Sequence, residues 1–311
     1  MDRRVRGAGH PHPVPLLEGR LTRAVSVGAV VVNYNAGDHL VECVRSVRAE
    51  GVVDIVVADN ASTDGSDRAV AASDPNVVVL PTGANLGFGA AANRGVAACP
   101  GDYVLLLNPD TLVEPGTVKV LAAALDRDPG LALVGPRIEN LDGSLYPSAR
   151  TFPSLADAMG HAFLGLVNPS NRFTRRYRML DWDHAAARDV DWVSGTCMLL
   201  RRSAFEAVGG FDERYFMYVE DVDLCWRLWH AGRRVAYEPA GCVVHTIGLS
   251  SEQSPYRMIA EHHRSLLRFS ATTLTGPKRA LLPLVAAGLA VRTTLAWLQR
   301  LRRDRPPAAL H

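Results

Sequence analysis

The sequence is poor in the features that frame small secreted domains and metal knuckles. Its five cysteines, Cys43, Cys99, Cys197, Cys225 and Cys242, are scattered, odd in number and form no CxxC pair. That excludes a zinc or disulfide framework and favours a reducing compartment. Excess charge is also missing. The balance of 34 basic and 32 acidic residues leaves +2, without the positive field expected of a nucleic-acid binder. Neither GxxxxGK(S/T) nor GxGxxG occurs, so P-loop and dinucleotide-binding readings are poor. No long-period repeat or low-complexity tract is present. Residues 1–24, rich in Arg, Pro, His and Gly, lack the apolar core of a signal peptide and are read as a disordered leader.

What is there is globular. Hydrophobic residues make up 48% of 311 positions, enough for one large domain or two small ones. From residue 25 strand and helix patterns alternate. Strands are expected over 27–33, 54–59, 77–80 and 102–107, with helices over 38–49, after Gly65, and over 88–98. Repeated βαβ units of this length predict a mostly parallel sheet, hence an α/β fold. After Pro136 the pattern changes. Short strands are expected over 145–150 and 190–200, around an irregular insert over about 152–188 that carries Trp182 and the cluster Arg172, Arg175, Arg176 and Arg178. A helix is expected over 220–231, ended by Gly232, followed by strands over 234–237 and 243–245. A helical tail begins at Pro255 and breaks near Gly276-Pro277.

Every polar cluster of the first half falls at a strand's carboxyl end, where open α/β sheets bind ligands. Asn33-Tyr34-Asn35 follows the first strand and the run Asp59 to Gly65 the second. Asn85-Leu86-Gly87-Phe88-Gly89 opens the helix after the third, and Asn108-Pro109-Asp110 ends the fourth. Asp59 suits acceptance from a base N–H, or an Asx-turn. Asp64 suits a base or ribose contact, or a helix N-cap. Gly87 and Gly89 allow a diphosphate to approach a helix N-terminus, or reflect tight packing. Asp110 is either a cap for the helix beginning near Pro115 or a ligand for a hard divalent cation. Further on, Asp212, Glu213, Glu220, Asp221 and Asp223 place five acids within twelve residues. Glu220 and Asp221 open a helix, either as capping charges or as a general base site oriented by Asp223 and Arg227. His245 is a core histidine or a metal ligand beside Asp110.

Taken together, these residues resemble the inverting family-2 glycosyltransferases. The matching segments are 31–35, 57–66, 85–89, 108–110 and 220–223, in family order, within a resemblance covering about 25–248. The resemblance implies the GT-A nucleotide-diphospho-sugar transferase fold, with a catalytic domain over 25–250. Residues 25–136 would form its nucleotide-sugar-binding half and 137–250 its acceptor-binding half, with 251–311 as C-terminal helices. It implies that Asp59 reads the pyrimidine base, with Asn33, Tyr34, Asn35 and Asp64 around it. Asn85, Gly87, Phe88, Gly89 and Asn93 would lie near the diphosphate, and Asp110 and His245 would hold Mg²⁺ or Mn²⁺. Asp221 would be the base, and Trp192, Ser194, Gly195 and Thr196 would line the acceptor side. Asn108 replaces the first acid of the usual DxD motif and matches the rhamnosyltransferase-like branch. That branch implies a nucleotide-diphospho-sugar donor, dTDP-rhamnose, and a polyprenyl-diphosphate-linked N-acetylglucosamine acceptor, in arabinogalactan-linker or polysaccharide synthesis.

The tail is read as an anchor. Between Gly276 and His311 seven bases stand against Asp304 alone, flanking an apolar run over 280–290. That run is shorter than the roughly 20 residues needed to cross a bilayer, so a helix lying on an anionic surface is expected. This places the protein in the cytoplasm, peripheral on the inner face of the plasma membrane. Docking on the catalytic domain, or a homodimer, is the other use of such a helix. Rival functions are a galactofuranosyl- or glucosyltransferase using a UDP-sugar, a sugar-nucleotide pyrophosphorylase, and a non-catalytic nucleotide-sugar-binding protein.

Overall fold

The computed structural model describes residues 25–152, 157, 164, 168, 170–246 and 254–303. The expected leader, much of the insert and the end of the tail lie outside these. The first half is β1 (Val27–Asn33), α1 (His39–Ala49), β2 (Ile55–Asp59), α2 (Ser66–Ser73), β3 (Val78–Pro81), α3 (Phe88–Ala98) and β4 (Tyr103–Leu107). Next come β5 (Thr111–Val113), α4 (Thr117–Arg127), β6 (Leu131–Asn140), β7 (Leu145–Tyr146), β8 (Ala149–Arg150), α5 (Arg172–Tyr177) and β9 (Arg188–Asp189). The chain continues through β10 (Trp192–Val193), β11 (Cys197–Arg201), α6 (Arg202–Ala207), α7 (Glu220–His230) and β12 (Arg234–His245). It ends in α8 (Pro255–Thr273), a 3₁₀ turn (Gly276–Leu281) and α9 (Leu282–Arg303).

One ten-stranded sheet runs β3-β2-β1-β4-β11-β6-β12-β5, with β7 added on β6 and β9 on β12. β3, β2, β1 and β4 are mutually parallel. β11 inserts antiparallel between β4 and β6, and β12 returns parallel to β6. β2 and β4 are buried at every position, because helices cover both faces. Alternation assigns the faces. Ala29, Val31, Leu105 and Leu107 pack with α1 and α4, while Val30, Val32, Val104 and Leu106 pack with α3 and α7.

The second half differs from the sequence reading. That reading marked no strand at β5 or β6 and took β12 as two pieces, while its single strands over 145–150 and 190–200 each break in two, into β7 and β8 and into β10 and β11. β6 carries Pro136, which has no N–H for a ladder. Its neighbour β12 makes room there: the register shifts between Glu238 and Cys242, immediately after the pair Pro136–Glu238. A bulge on the partner strand lets both strands continue past the proline. The 136/137 division therefore falls inside β6, and both halves share the sheet.

Candidate active site

A cavity of ≈ 420 Å³ opens at the carboxyl ends of β1 and β4, bounded by β8, β10, the start of α7 and α8. It gathers Tyr34, Asn85, Phe88, Asn108, Asp110, Trp192, Ser194, Gly195, Thr196, Glu220, Asp221 and His245, which are twelve of the residues singled out from sequence.

Asp110 and His245 meet because of β5. The antiparallel register pairs Thr111 with His245, and the Thr246 N–H donates to the Asp110 carbonyl at 3.1 Å. The side chains follow: His245 Nε2 lies 3.1 Å from Asp110 Oδ1, and both residues are under a tenth exposed. Beyond that contact Asp110 Oδ1 makes no hydrogen bond, and His245 Nδ1 is buried without one. A carboxylate and an imidazole converging with unspent acceptor capacity fit a hard divalent cation. Such ions use one or two protein ligands and take the rest from phosphate and water. No cluster of three or more His, Cys, Asp or Glu suited to a metal occurs among the described residues, so the pair would be a partial shell completed by substrate. The helix-cap alternative for Asp110 does not hold. α4 has Gly116 at its N-cap, and the Glu50 carboxylate accepts from Gly116 and Val118 N–H at 2.7 and 2.8 Å.

Across the cavity, Glu220 and Asp221 open α7. The chain enters that helix through two non-glycine residues in the left-handed region, Tyr218 (φ 66°) and Val219 (φ 69°). For a β-branched residue this is a genuine outlier, and such strain collects at functional sites. Asp221 is fixed by N–H donors: Gly195 to Oδ2 at 2.9 Å and Val222 to Oδ1 at 2.8 Å. Burial raises the Asp221 pKa, while these donors and the Arg150 charge oppose the rise. For Glu220 the rise is opposed only by its own backbone N–H. Its Oε2 is buried and unpartnered, and burial together with the Asp221 charge pushes its pKa up to about 8. Burial thus raises both carboxyls, and the two backbone donors favour the charged form of Asp221. A buried carboxylate with a raised pKa, held by backbone donors, is poised to accept a proton.

The other sequence-derived candidates do not line this cavity. Asn33 Nδ2 donates to Asp59 Oδ1, Ser62 Oγ and Ser66 Oγ, and Asp59 Oδ2 accepts from the Ser62 N–H. Asn35 Oδ1 accepts from the Thr63 N–H at 2.7 Å. These bonds lock the ends of β1 and β2 into one rim. Asp64 accepts from Ser66 and from the Gly37 N–H, as a turn and helix-start residue does. Burial opposes it, but these donors win and lower its pKa. Gly87 and Gly89 are small for packing. A Cβ on Gly87 would lie 2.1 Å from the Phe216 carbonyl oxygen, and one on Gly89 3.0 Å from Phe211. The first N–H of α3, from Phe88, donates to the Phe216 carbonyl at 3.0 Å. Asn93 ties α3 to Phe211 and Glu213. Asp223 and Arg227 form an internal ion pair at 2.7 Å, bracing α7 from behind the cavity.

Sequence reasoning missed Asn60, Tyr146, Arg150, Tyr177, Tyr218 and His262, all of which line the cavity. Most lie on short or irregular segments without periodicity. The spacing of Tyr146 and Arg150 around a two-strand corner was the only local signal.

With this geometry in hand, comparison with known proteins is direct. The family model described as glycosyl transferase family 2 matches residues 29–209. The N-acetylglucosaminyl-diphospho-decaprenol L-rhamnosyltransferase of Mycobacterium tuberculosis is 43% identical over 290 residues, 89% of this chain and 94% of that one. Among solved structures, the mannosyltransferase PcManGT from Pyrobaculum calidifontis, in complex with GDP-Man and Mn²⁺, aligns with a TM-score of 0.57. The identity is 18%, over 93% of this chain and 78% of that one. S. aureus TarS 1-349 in complex with UDP-GlcNAc aligns with a TM-score of 0.53 at 16% identity, over 86% and 72%. At such identities the structures speak for the fold, which is GT-A. The chain belongs to glycosyl transferase family 2, in its rhamnosyltransferase-like branch.

Proposed function

We propose that this protein transfers L-rhamnose from dTDP-rhamnose, with inversion, to N-acetylglucosamine carried on a polyprenyl diphosphate, in cell-wall linker synthesis. The observation that carries the reading is the pairing of a buried, backbone-held Asp221 with the Asp110–His245 donor set in one cavity. The M. tuberculosis relative supports the sugar and the acceptor. In this reading Asp221 takes the proton of the acceptor hydroxyl. The resulting oxygen attacks the anomeric carbon as its bond to the diphosphate breaks, and the nucleoside diphosphate leaves from the opposite face. A divalent cation, Mg²⁺ or Mn²⁺, held by Asp110 and His245, supplies neutralisation of the leaving diphosphate. Trp192 to Thr196 form the acceptor wall and keep water from the base. The rim of Asn33, Asn35, Asp59 and Asp64 holds the nucleoside end.

A donor panel tests this reading, with nucleotide sugars offered against a lipid-diphosphate N-acetylglucosamine acceptor and products identified by mass. Transfer is expected from dTDP-rhamnose. Asp221→Asn is expected to abolish transfer while leaving nucleotide binding in calorimetry nearly unchanged. Transfer from a UDP-sugar alone would overturn the rhamnosyl reading. An equal loss of nucleotide binding would remove Asp221 from the base role.

A further inference from the structure

The charge of the cavity is out of balance with what the reaction brings into it. Its described lining carries three carboxyl groups, Asp110, Glu220 and Asp221, against a single guanidinium, that of Arg150. Under the reading above, donor and acceptor each bring a diphosphate. Arg150 is set in place by strand pairing. The β8–β10 register puts it opposite Trp192, two residues before the Ser194-Gly195 turn that holds Asp221. Three aromatic rings enclose its guanidinium, with centroids 5.0 Å (Trp192), 5.6 Å (Tyr146) and 5.8 Å (Tyr177) away. Nε donates to the Pro147 carbonyl at 2.8 Å and Nη2 to the Tyr146 hydroxyl at 3.1 Å.

Those partners are uncharged. The charge of Asp221 also acts on Arg150, and the hydrogen bonds of Asp221 itself go to backbone. Tyr146 in turn packs edge-on against His245, ring centroids 6.4 Å apart. Tyr146 thus links Arg150, whose guanidinium lies over its ring, to His245. Burial works against the Arg150 charge, yet Tyr177, Tyr146 and Asp221 outweigh it and raise its pKa, so a cation with no hydrogen-bonded carboxylate among the described residues faces the cavity.

We propose that Arg150 is a diphosphate-binding residue of this cavity, its planar fork taking oxygens of a substrate diphosphate as a second anchor beside the Asp110–His245 pair. Guanidinium suits this task because it offers parallel donors matched to phosphate. The caging rings fix its plane before substrate arrives. The inference rests on the glycosyl-transfer reading. The phosphate chemistry is shared by the nucleoside diphosphate and the lipid diphosphate, so the test separates the two.

Full-length wild type, Arg150→Gln and Arg150→Lys are titrated calorimetrically with dTDP in the presence of Mn²⁺, and KM for the lipid-diphosphate acceptor is measured alongside. Arg150→Gln is expected to weaken one of these by about tenfold or more, with Arg150→Lys, a point charge without the fork, falling between. A raised dTDP Kd assigns Arg150 to the leaving group. A raised acceptor KM with unchanged dTDP binding assigns it to the lipid diphosphate. In that case an acceptor analogue with an alkyl group in place of the diphosphate should be turned over equally by all three. If both quantities stay within about twofold of wild type, Arg150 only covers aromatic rings and the proposal falls. Should Arg150→Gln not fold, Arg150→Lys decides alone by the same criterion. Because the dTDP arm reads diphosphate binding without any sugar, it stands even if the donor panel rejects rhamnose.

Discussion

A carboxylic acid buried without a partner must keep its proton or find a counter-charge. Glu220 keeps its proton, and this has a measurable consequence for stability. Its pKa rises from 4.5 to about 8 in the folded chain. Between those values the folded state binds a proton that the unfolded chain has released, so stability falls as pH rises through the window. At full burial the effect is on the order of a few kcal/mol. Glu220→Gln keeps the shape and cannot ionise, so the loss of Tm between pH 5 and pH 8 should be smaller in the variant than in wild type. Thermal unfolding at the two pH values measures this. Parallel slopes would mean that Glu220 is solvated. At this scale the sequence was informative about chemistry and silent about environment. The adjacency of Glu220 and Asp221 was visible, but not that the N–H groups of Gly195 and Val222 hold Asp221 while Glu220 has only its own. Those donors come from Gly195, 26 residues away, and from the turn into α7.

At the scale of elements, the first half was legible because each βαβ unit buries a continuous apolar strand between amphipathic helices, and its boundaries are marked by turn residues. β1 and α3 coincide with their expected spans. The second half was not, because its strands are defined by pairing rather than by local pattern. β5 is three residues long and exists through its ladder with β12, yet it is what brings Asp110 to His245. The glycines of 85–89 show a similar gap. Their pattern is clear in the sequence, but what they contact is a segment about 130 residues further on, Phe211 to Phe216. Gly87 (φ 88°, ψ 169°) and Gly116 (φ 85°, ψ −5°) both have positive φ, but only Gly116 lies in the left-handed helical region, and only Gly87 would drive a Cβ into a neighbour's backbone. Gly116→Ala should therefore cost about 1–2 kcal/mol from conformation alone. Gly87→Ala should cost clearly more, because the Phe216 carbonyl must move, and with it the entry to α7. Urea unfolding of both variants compares them directly. Equal losses would show that the α3–Phe216 contact does not fix the glycine.

At the scale of the whole molecule, the C-terminal helices join the active site to an apolar surface. α8 lines the cavity through His262 and Leu266, and Ser265 Oγ donates to the Met217 carbonyl at 3.0 Å, just before the strained pair leading into α7. α9 packs back on α8, where Thr293 Oγ1 meets His263 Nδ1 at 2.9 Å and the Trp297 indole donates to the Tyr256 carbonyl at 3.1 Å. The apolar stretch is longer than the run seen over 280–290. A helical span of 27 residues, Gly276–Arg302, is long and apolar enough to cross a bilayer by length and composition, and only 6% of its most apolar window is buried. The length argument against crossing therefore does not hold. What favours the surface is the pairing with α8, since crossing would pull α9 away from a helix that forms the cavity wall. Leu284, Val291, Leu298 and Leu301 remain exposed on α9, beside Arg300 and Arg302, a composition suited to an anionic interface. Peripheral attachment there would hold the cavity near a polyprenyl-linked acceptor on the inner face of the plasma membrane. The expected outcome is that full-length protein floats with anionic liposomes and is released by high salt, whereas a chain ending at Thr275, which retains α8, does not float. The shortened chain should still turn over a short-chain water-soluble acceptor at a comparable rate while losing its advantage on the polyprenyl one. Flotation of the shortened chain would move the anchor elsewhere, and flotation of the full chain that survives both high salt and alkaline carbonate would mean that α9 leaves α8 and spans the membrane.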